Sequence, residues 1–433
     1  TWTLGQWRHL NLMSDETNSK TNEKNMKVII LNQYFVPDVA STGHLLYELA
    51  ENIASQGADV KVITCRPSYG PKETWQECPR KEEKNGVKVH RMFTTRYSKD
   101  SIIGRIVNSV TFLVPLAFFH VLPKNKNEVF LYTTNPPYLG FVGGFMSFIR
   151  PHKYVVLLHD SYPELAVWVG KIREGGAIDK IWRWCNKIMY RRAKQVIVLS
   201  EAAKELVVTN YNADPDRVHV IPNWADPKEL QPKPKEESQF AKEHGLIEPF
   251  TLLYSGNLGL YYEFGMLLEG AKLLENENFR LVFTGAGGQR DSIAKKIEDL
   301  KLTNTLLLPY TPQDTFNDAL NGCDGLLVTI AKGIDGISFP SKLYTCLSVG
   351  KPIIAFSSPT SELRTKVESN GVGKWIELGD AKGFAQCVRE MIADPESALA
   401  MGAKAREVLE TDYSIAVAGK RYFDVLKLGD KGI

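Results

Sequence analysis

Met26 opens an apolar run, KVIIL, that passes through NQYF into a loop holding Pro37 and Gly43, then into HLLYELAENIASQG, whose apolar positions recur at helical spacing up to Gly57. DVKVITC follows at once as a second apolar strand. Strand, helix and strand in this order predict a βαβ unit, hence a parallel sheet with a right-handed crossover. Apolar runs at 129–134, 153–160 and 195–200 continue the alternation, so the first half reads as a doubly wound α/β domain. After HVIPNWAD (219–226), the Pro-, Lys- and Glu-rich stretch PKELQPKPKEESQ reads as an interdomain linker. A second series then starts, with strand patterns at 251–256, 280–287, 304–310, 325–330 and 351–356, each followed by helical sequence. The expectation is two facing Rossmann-like domains, 26–226 and 227–410, with a ligand cleft between them, preceded by a polar, disordered lead-in over 1–25.

One segment departs from this alternation. Ile106 to Leu122 runs for 17 residues without Lys, Arg, Asp or Glu. A membrane span needs roughly 20 apolar residues and has no place inside a doubly wound domain. A buried domain helix is the plain reading. A monotopic surface is the other, helped by Arg105 and Lys124 at the flanks and by the aromatic loop PPYLGFVGGFMSFIRPHK (136–153).

Charge sharpens the division into halves. Residues 26–226 hold 26 Lys+Arg against 19 Asp+Glu, whereas 227–433 hold 24 against 28. A basic, apolar first half favours anionic partners such as phospholipid heads or a pyrophosphate-linked lipid, although solvated surface lysines give the same count. The 433 residues and 43% hydrophobic content suit two ordinary globular domains. Six cysteines at 65, 78, 185, 323, 346 and 387 show no metal-ligand or disulfide spacing, which fits a reducing cytoplasm, on its own or at the cytoplasmic face of a membrane. No signal peptide is recognised, and no nucleic-acid partner is expected.

Several residue sets could carry chemistry. Phe339-Pro340-Ser341-Lys342 precedes a helical stretch, LYTCLSVG, ending at Gly350, so Ser341 and Lys342 are expected near a helix N-terminus that attracts anions, with Lys342 adding a point charge suited to a diphosphate. A Ser cap beside a solvated Lys is the simpler alternative. Two glycine turns, Gly256-Asn257-Leu258-Gly259 and Gly285-Ala286-Gly287-Gly288, follow strands at the carboxyl edge of the second sheet. The position that a dinucleotide fingerprint would give to a third Gly is Arg290, which argues against a nicotinamide or flavin enzyme. His159-Asp160 ends a strand of the first domain, where imidazole and carboxylate face the cleft and can bond ligand hydroxyls and the reacting centre, or else satisfy local backbone groups. Thr42-Gly43 offers a phosphate contact from the same side. Asp214-Pro215-Asp216 has the DxD form of a metal site but sits in NADPDRV, a turn sequence, and no metal or other cofactor is expected.

Together these motifs resemble the retaining glycosyltransferases of family 4, in order over residues 26–425: the opening strand with Pro37 to Gly43, HDSYPE, VIVLSE, VHVIPNWAD, LLYSGNLG, FTGAGGQR and FPSKLYTCLSVGKPIIA. Within that family they look most like bacterial enzymes of cell-surface polysaccharide synthesis, fucosamine transferases of O-antigen and colanic-acid-type clusters among them. The resemblance implies a GT-B fold with a nucleotide-sugar donor, a UDP-sugar by preference, held mainly by the second domain. It implies an acceptor on the first domain, a lipid-linked saccharide or other glycan, and a final helix near 412–428 crossing back. By position it places Gly43 at the donor phosphate, His159 at the donor sugar, Gly256, Asn257, Ser341 and Lys342 at the diphosphate, and the Leu308 to Tyr310 turn at the base; Thr42, Leu258, Gly285, Arg290 and Thr345 complete the expected donor set. His159, Asp160 and Lys342 are the catalytic candidates. Two glutamates typical of the family fall at Ile337 and Thr345, and the usual Arg is Asn257, so Lys342 is left as the main cation. A non-catalytic sugar-nucleotide or glycan-binding subunit, and a sugar-nucleotide epimerase of the same fold, are the rival readings.

Overall fold

The computed structural model describes residues 26–38, 40–68, 75–97, 102–121, 127–259 and 262–430. The 1–25 lead-in and Lys124 lie outside these residues. Among the described residues, eight strands form the first sheet: β1 (Lys27–Leu31), β2 (Asp59–Cys65), β3 (Lys81–Lys84), β4 (Val87–Met92), β5 (Glu128–Thr133), β6 (Lys153–Leu158), β7 (Gln195–Val198) and β8 (Val218–Val220). Their order is β3-β4-β2-β1-β5-β6-β7-β8, parallel except for β3. The KEEK and VKVHRM strands of the β3–β4 hairpin turn at Asn85-Gly86, both at positive φ, the twist that a two-residue hairpin favours.

The second sheet has six parallel strands: β9 (Phe250–Ser255), β10 (Phe279–Thr284), β11 (Thr305–Leu308), β12 (Gly325–Thr329), β13 (Ile353–Ser357) and β14 (Gly373–Glu377). The order β11-β10-β9-β12-β13-β14 reverses between β9 and β12, as the first sheet does between β1 and β5. In such sheets the crevice at the carboxyl ends of the strands beside the reversal is where ligands bind. Central strands such as β5 and β13 are buried at every position, which is why they read as unbroken apolar runs.

Each sheet is covered on both faces. On one side of the first sheet, helices Ser41–Ser55 and Ile415–Asp430 share a core around Leu46, Ile53, Tyr422 and Leu426. The last helix therefore rests on the first domain. Lys153 bonds Asp430 at 2.9 Å, and a side chain at Gly419 would collide with Asn52. Helices Ile102–Val121, Leu139–Ile149, Ala177–Arg192 and Glu201–Tyr211 cover the opposite side through Phe112, Leu116, Leu139, Met189 and Val207.

The stretch read as a linker is pinned rather than loose. Lys235 is buried, with its ammonium on Asp324 at 2.5 Å and the Pro249 carbonyl at 2.8 Å, while Arg406 donates to the Pro227 and Leu230 carbonyls. Its charges are used in bonds to the second domain, a pairing that composition does not show. All six cysteines are free thiols. Among the described residues no helix is long and apolar enough to cross a membrane.

Candidate functional site

The two domains meet where β6 and β12 end. His159 and Asp160 leave β6, and both amides donate to the Thr134 hydroxyl, at 3.1 and 3.4 Å. The next residue, Ser161, is buried and docks on the second domain: its amide donates to the Ile337 carbonyl at 2.7 Å and its hydroxyl to the Gly336 carbonyl at 2.9 Å. Asp160 and Ser338 form an antiparallel bridge. Gly336 has φ of +74°, and a Cβ there would lie 2.8 Å from the Ala202 carbonyl, so only glycine lets this loop approach the first domain so closely. From the other side, Glu362 accepts the Glu201 amide at 2.9 Å, at the start of helix Glu201–Tyr211. Ile337, where a carboxylate was expected, thus meets the first domain through its backbone.

The His159 and Asp160 side chains respond differently to this setting. Burial lowers the imidazole to about 4, so it is neutral at pH 7, and its Nδ1 is buried with no hydrogen-bond partner. Burial raises the Asp160 carboxyl, while a hydrogen bond to Ser338 opposes that shift. His159 shares a small interdomain cavity with Gly336, Ile337 and Phe339, just upstream of Lys342.

Lys342 begins helix Lys342–Ser348, but the helix end is less open than the sequence suggests. Ser341 makes no side-chain cap, and the first amides are already bonded, Leu343 to the Pro340 carbonyl and Tyr344 to the Ser341 carbonyl. The attraction for an anion therefore rests on the ammonium. Lys342 Nζ is buried without a hydrogen-bond partner, 3.4 Å from the centre of the Tyr254 ring and 4.8 Å from that of Tyr262. Burial lowers it to about 7. Gly256 lies against it: with φ of +129°, a Cβ there would come within 3.5 Å of Nζ. Sequence reasoning found Lys342 and Gly256 but missed both tyrosines; Tyr254 had no local signal beyond being an apolar strand residue.

The two glycine turns are packed on each other. A Cβ at Gly285 would lie 1.9 Å from the Gly256 carbonyl oxygen, and one at Gly287 2.4 Å from the Leu258 backbone. Leu258 is in the core, its amide bonding the Ala286 carbonyl and its carbonyl accepting from Gln289, so it keeps no polar group for a ligand. Arg290 is also used internally, donating to the carbonyls of Gly285 at 3.0 Å and Leu308 at 2.8 Å, where it braces the turn expected at the base. Asn257 is exposed and Tyr310 is 60% exposed at that rim. Thr345 is half-buried within its helix, its carbonyl accepting from Ser348. Across the cleft, Thr42 and Gly43 lie in the first turn of helix Ser41–Ser55, and a Cβ at Gly43 would be 3.1 Å from Phe35 Cα.

Asp214 and Asp216 form a short turn in which Asp214 accepts the Asp216 amide and pairs with Arg217 at 2.9 Å. Among the described residues no cluster of His, Cys, Asp or Glu could hold a metal ion.

Two doubly wound domains facing across a cleft, with the strand ends directed at the crossing, make up the GT-B fold. The glycosyl transferase 4-like domain matches residues 42–224 and the glycosyl transferases group 1 domain matches 236–408, so the chain is a glycosyltransferase of the group 1 type. It is 26% identical to the glycosyltransferase-assigned protein WbjE of Pseudomonas aeruginosa, over 69% of this chain and 74% of WbjE. It is 23% identical to WcaI of Escherichia coli K12, assigned as a colanic acid biosynthesis glycosyl transferase, over 86% of this chain and 93% of WcaI. Anabaena HepE, solved in complex with UDP-glucose, superposes with a TM-score of 0.68 at 15% identity, over 93% of this chain and 99% of HepE.

Proposed function

We propose that the chain transfers a hexosyl or N-acetylhexosaminyl group, with retention, from a UDP-sugar to a hydroxyl of a lipid-linked saccharide or glycolipid in cell-envelope polysaccharide synthesis. The observation that carries this reading is Lys342: a buried amine without a hydrogen-bond partner, beside the close-approach Gly256, in a GT-B fold. HepE binds UDP-glucose in the same fold, which favours UDP, and the assignment of WcaI to colanic acid synthesis favours the polysaccharide setting, an amino sugar such as fucosamine included.

In this reading the bond from the sugar C1 to the diphosphate breaks with its electron pair on the diphosphate oxygen, which Lys342 neutralises in place of a metal. The acceptor oxygen bonds C1 on the same face, and its proton passes to the departing diphosphate. Neutral His159, with Nδ1 unpartnered, bonds the donor sugar, and Asp160, tied to Ser338, orients it. A thermal-shift panel of UDP-, GDP- and ADP-sugars tests the donor, because a ligand of the folded state raises its apparent stability. UDP-sugars are expected to give the largest rise. No shift with any nucleotide sugar would overturn the reading, and a shift without transfer or hydrolysis would leave a sugar-nucleotide-binding subunit.

A further inference from the structure

Exposed large apolar side chains are unevenly distributed. Of the 17 among the described residues, 12 lie between Phe93 and Trp184, on the first domain. Helix Ile102–Val121 buries Phe112 and Leu116 against the sheet yet presents Ile103, Ile106, Val110, Val114 and Phe118 to solvent, each 48–74% exposed. Their spacing of three and four residues draws one stripe along the helix. The neighbouring helix Leu139–Ile149 adds Phe148 and Ile149 at its end, at 60% and 68% exposure. Beyond it, helix Ala177–Arg192 exposes Ile178, Ile181 and Trp184, with Trp184 meeting Phe145 at 5.9 Å between ring centres. The three helices lie side by side on one face of the sheet. Monomeric soluble proteins rarely leave an apolar area of this extent open.

Charge indicates what covers it. From Ser101 to His159 the chain holds one carboxylate, Glu128, which is buried against Lys27. The third helix also holds a single one, Asp179, buried and bonded to Arg183 at 2.8 Å. Around Trp184 the exposed charges of that helix are Lys180, Lys187 and Arg191, and the Arg192 guanidinium lies 3.9 Å over the Phe148 ring. An apolar stripe with interspersed cations and without exposed carboxylates on its helices matches the boundary between the acyl region and the heads of anionic phospholipids, where long basic side chains reach the phosphates while their neighbours enter the acyl layer. We propose that this three-helix face docks on an anionic bilayer. In a parallel α/β sheet such helices start at the carboxyl end of the strands, so Ile103, Ile106, Ile178 and Ile181 continue the face toward the cleft edge. The docked enzyme would thereby hold its cleft beside the membrane surface.

Flotation of the full chain with vesicles tests this without reference to catalysis. The probes are vesicles of phosphatidylcholine alone and of phosphatidylcholine with about one third phosphatidylglycerol. The expected result is flotation with the anionic vesicles, at least about tenfold weaker with the neutral ones and weakened by salt. Phe118→Ser with Trp184→Ser, and separately Lys187→Gln with Arg191→Gln, should each lower binding about tenfold or more while far-UV circular dichroism and the UDP-sugar thermal shift stay unchanged. Wild-type chain left at the bottom with both vesicles would overturn the proposal, as would a wild-type dimer that the Phe118/Trp184 pair dissociates, since a second copy would then cover the face. Equal flotation with neutral and anionic vesicles would overturn the part assigned to the cations. Because the thermal shift reads the donor site and flotation the helical face, failure of one does not imply failure of the other.

Discussion

The two sides of the cleft are built on different principles. On the second domain, the Lys342 amine is removed from water, held over two tyrosine rings and without a hydrogen-bond partner. On the first, the His159–Ser161 segment is fixed by amide bonds to the Thr134 hydroxyl and by Ser161 amide and hydroxyl bonds to the Gly336–Ser338 loop, and its imidazole is neutral. One side supplies an amine that a bound anion would charge; the other supplies position. On the proposed reaction, attraction for the anionic leaving group would rest on one residue, whereas alignment of the sugar would be spread over several weak bonds.

The largest effect that would break this comparison is at Lys342. Lys342→Ala is expected to lower turnover on the order of 10²-fold or more, with Lys342→Met as a variant that keeps the packing against Tyr254. Near-wild-type steady-state rates in both would remove the residue from the reaction. Next comes Gly285→Ala, where the new Cβ meets the Gly256 carbonyl oxygen at a residue with φ of +148°. It should cost about 2–3 kcal/mol in urea unfolding and weaken donor binding together. Stability lost without any change in donor affinity would show that the paired turns serve packing alone.

The pH response sharpens the same contrast. With its folded value lowered to about 7, Lys342 is protonated in the unfolded chain but neutral in the free folded protein between about pH 7 and 10.5, so its contribution to stability rises with pH across that window. A diphosphate favours the ammonium, so donor binding should take up a proton. Its affinity is then expected to fall by up to about tenfold per unit above pH 7, read by calorimetry in buffers of different ionisation heat. Lys342→Met should abolish that slope, and an unchanged slope would assign it to another group.

The smallest expected effect lies on helix Ser41–Ser55 behind the first domain's side of the cleft. Glu48 accepts the Trp224 indole at 2.8 Å, and burial, together with Glu229, Asp226 and Glu51, raises it to about 7. Its folded value is raised, so its contribution is present at low pH and lost as pH rises through the window between about 4.5 and 7. Glu48→Gln keeps an acceptor for Trp224 and should add about 1 kcal/mol at pH 8 and nothing at pH 4, measured by denaturant unfolding.

Much of the fold is legible along the chain because fully buried parallel strands must be apolar throughout and glycine must stand where backbones touch. β1, β5, β6, β9 and β13 follow from the first rule, and Gly43, Gly285 and Gly287 from the second. The β3–β4 hairpin also carried a signal, Asn85-Gly86, but its polar KEEK strand has no apolar periodicity to announce it. Sequence by itself determined the two α/β units and the presence of a lysine near a helix start, since each depends on local pattern and chain order.

The tertiary structure decided what those residues do. Tyr254 and Tyr262 meet Lys342 only because β9 and the loop after it fold over the helix start, and this removes the ammonium from water. Arg290 turns inward to carbonyls of neighbouring strands, and Ile337 docks on Ser161 across the cleft. The Ile106 to Leu122 segment, read first as a buried helix or a monotopic surface, buries Phe112 and Leu116 but exposes Ile106, Val110, Val114 and Phe118, because one helix shows the sheet one side and solvent the other. Burial and partner choice depend on contacts between distant parts of the chain, and no local pattern encodes them.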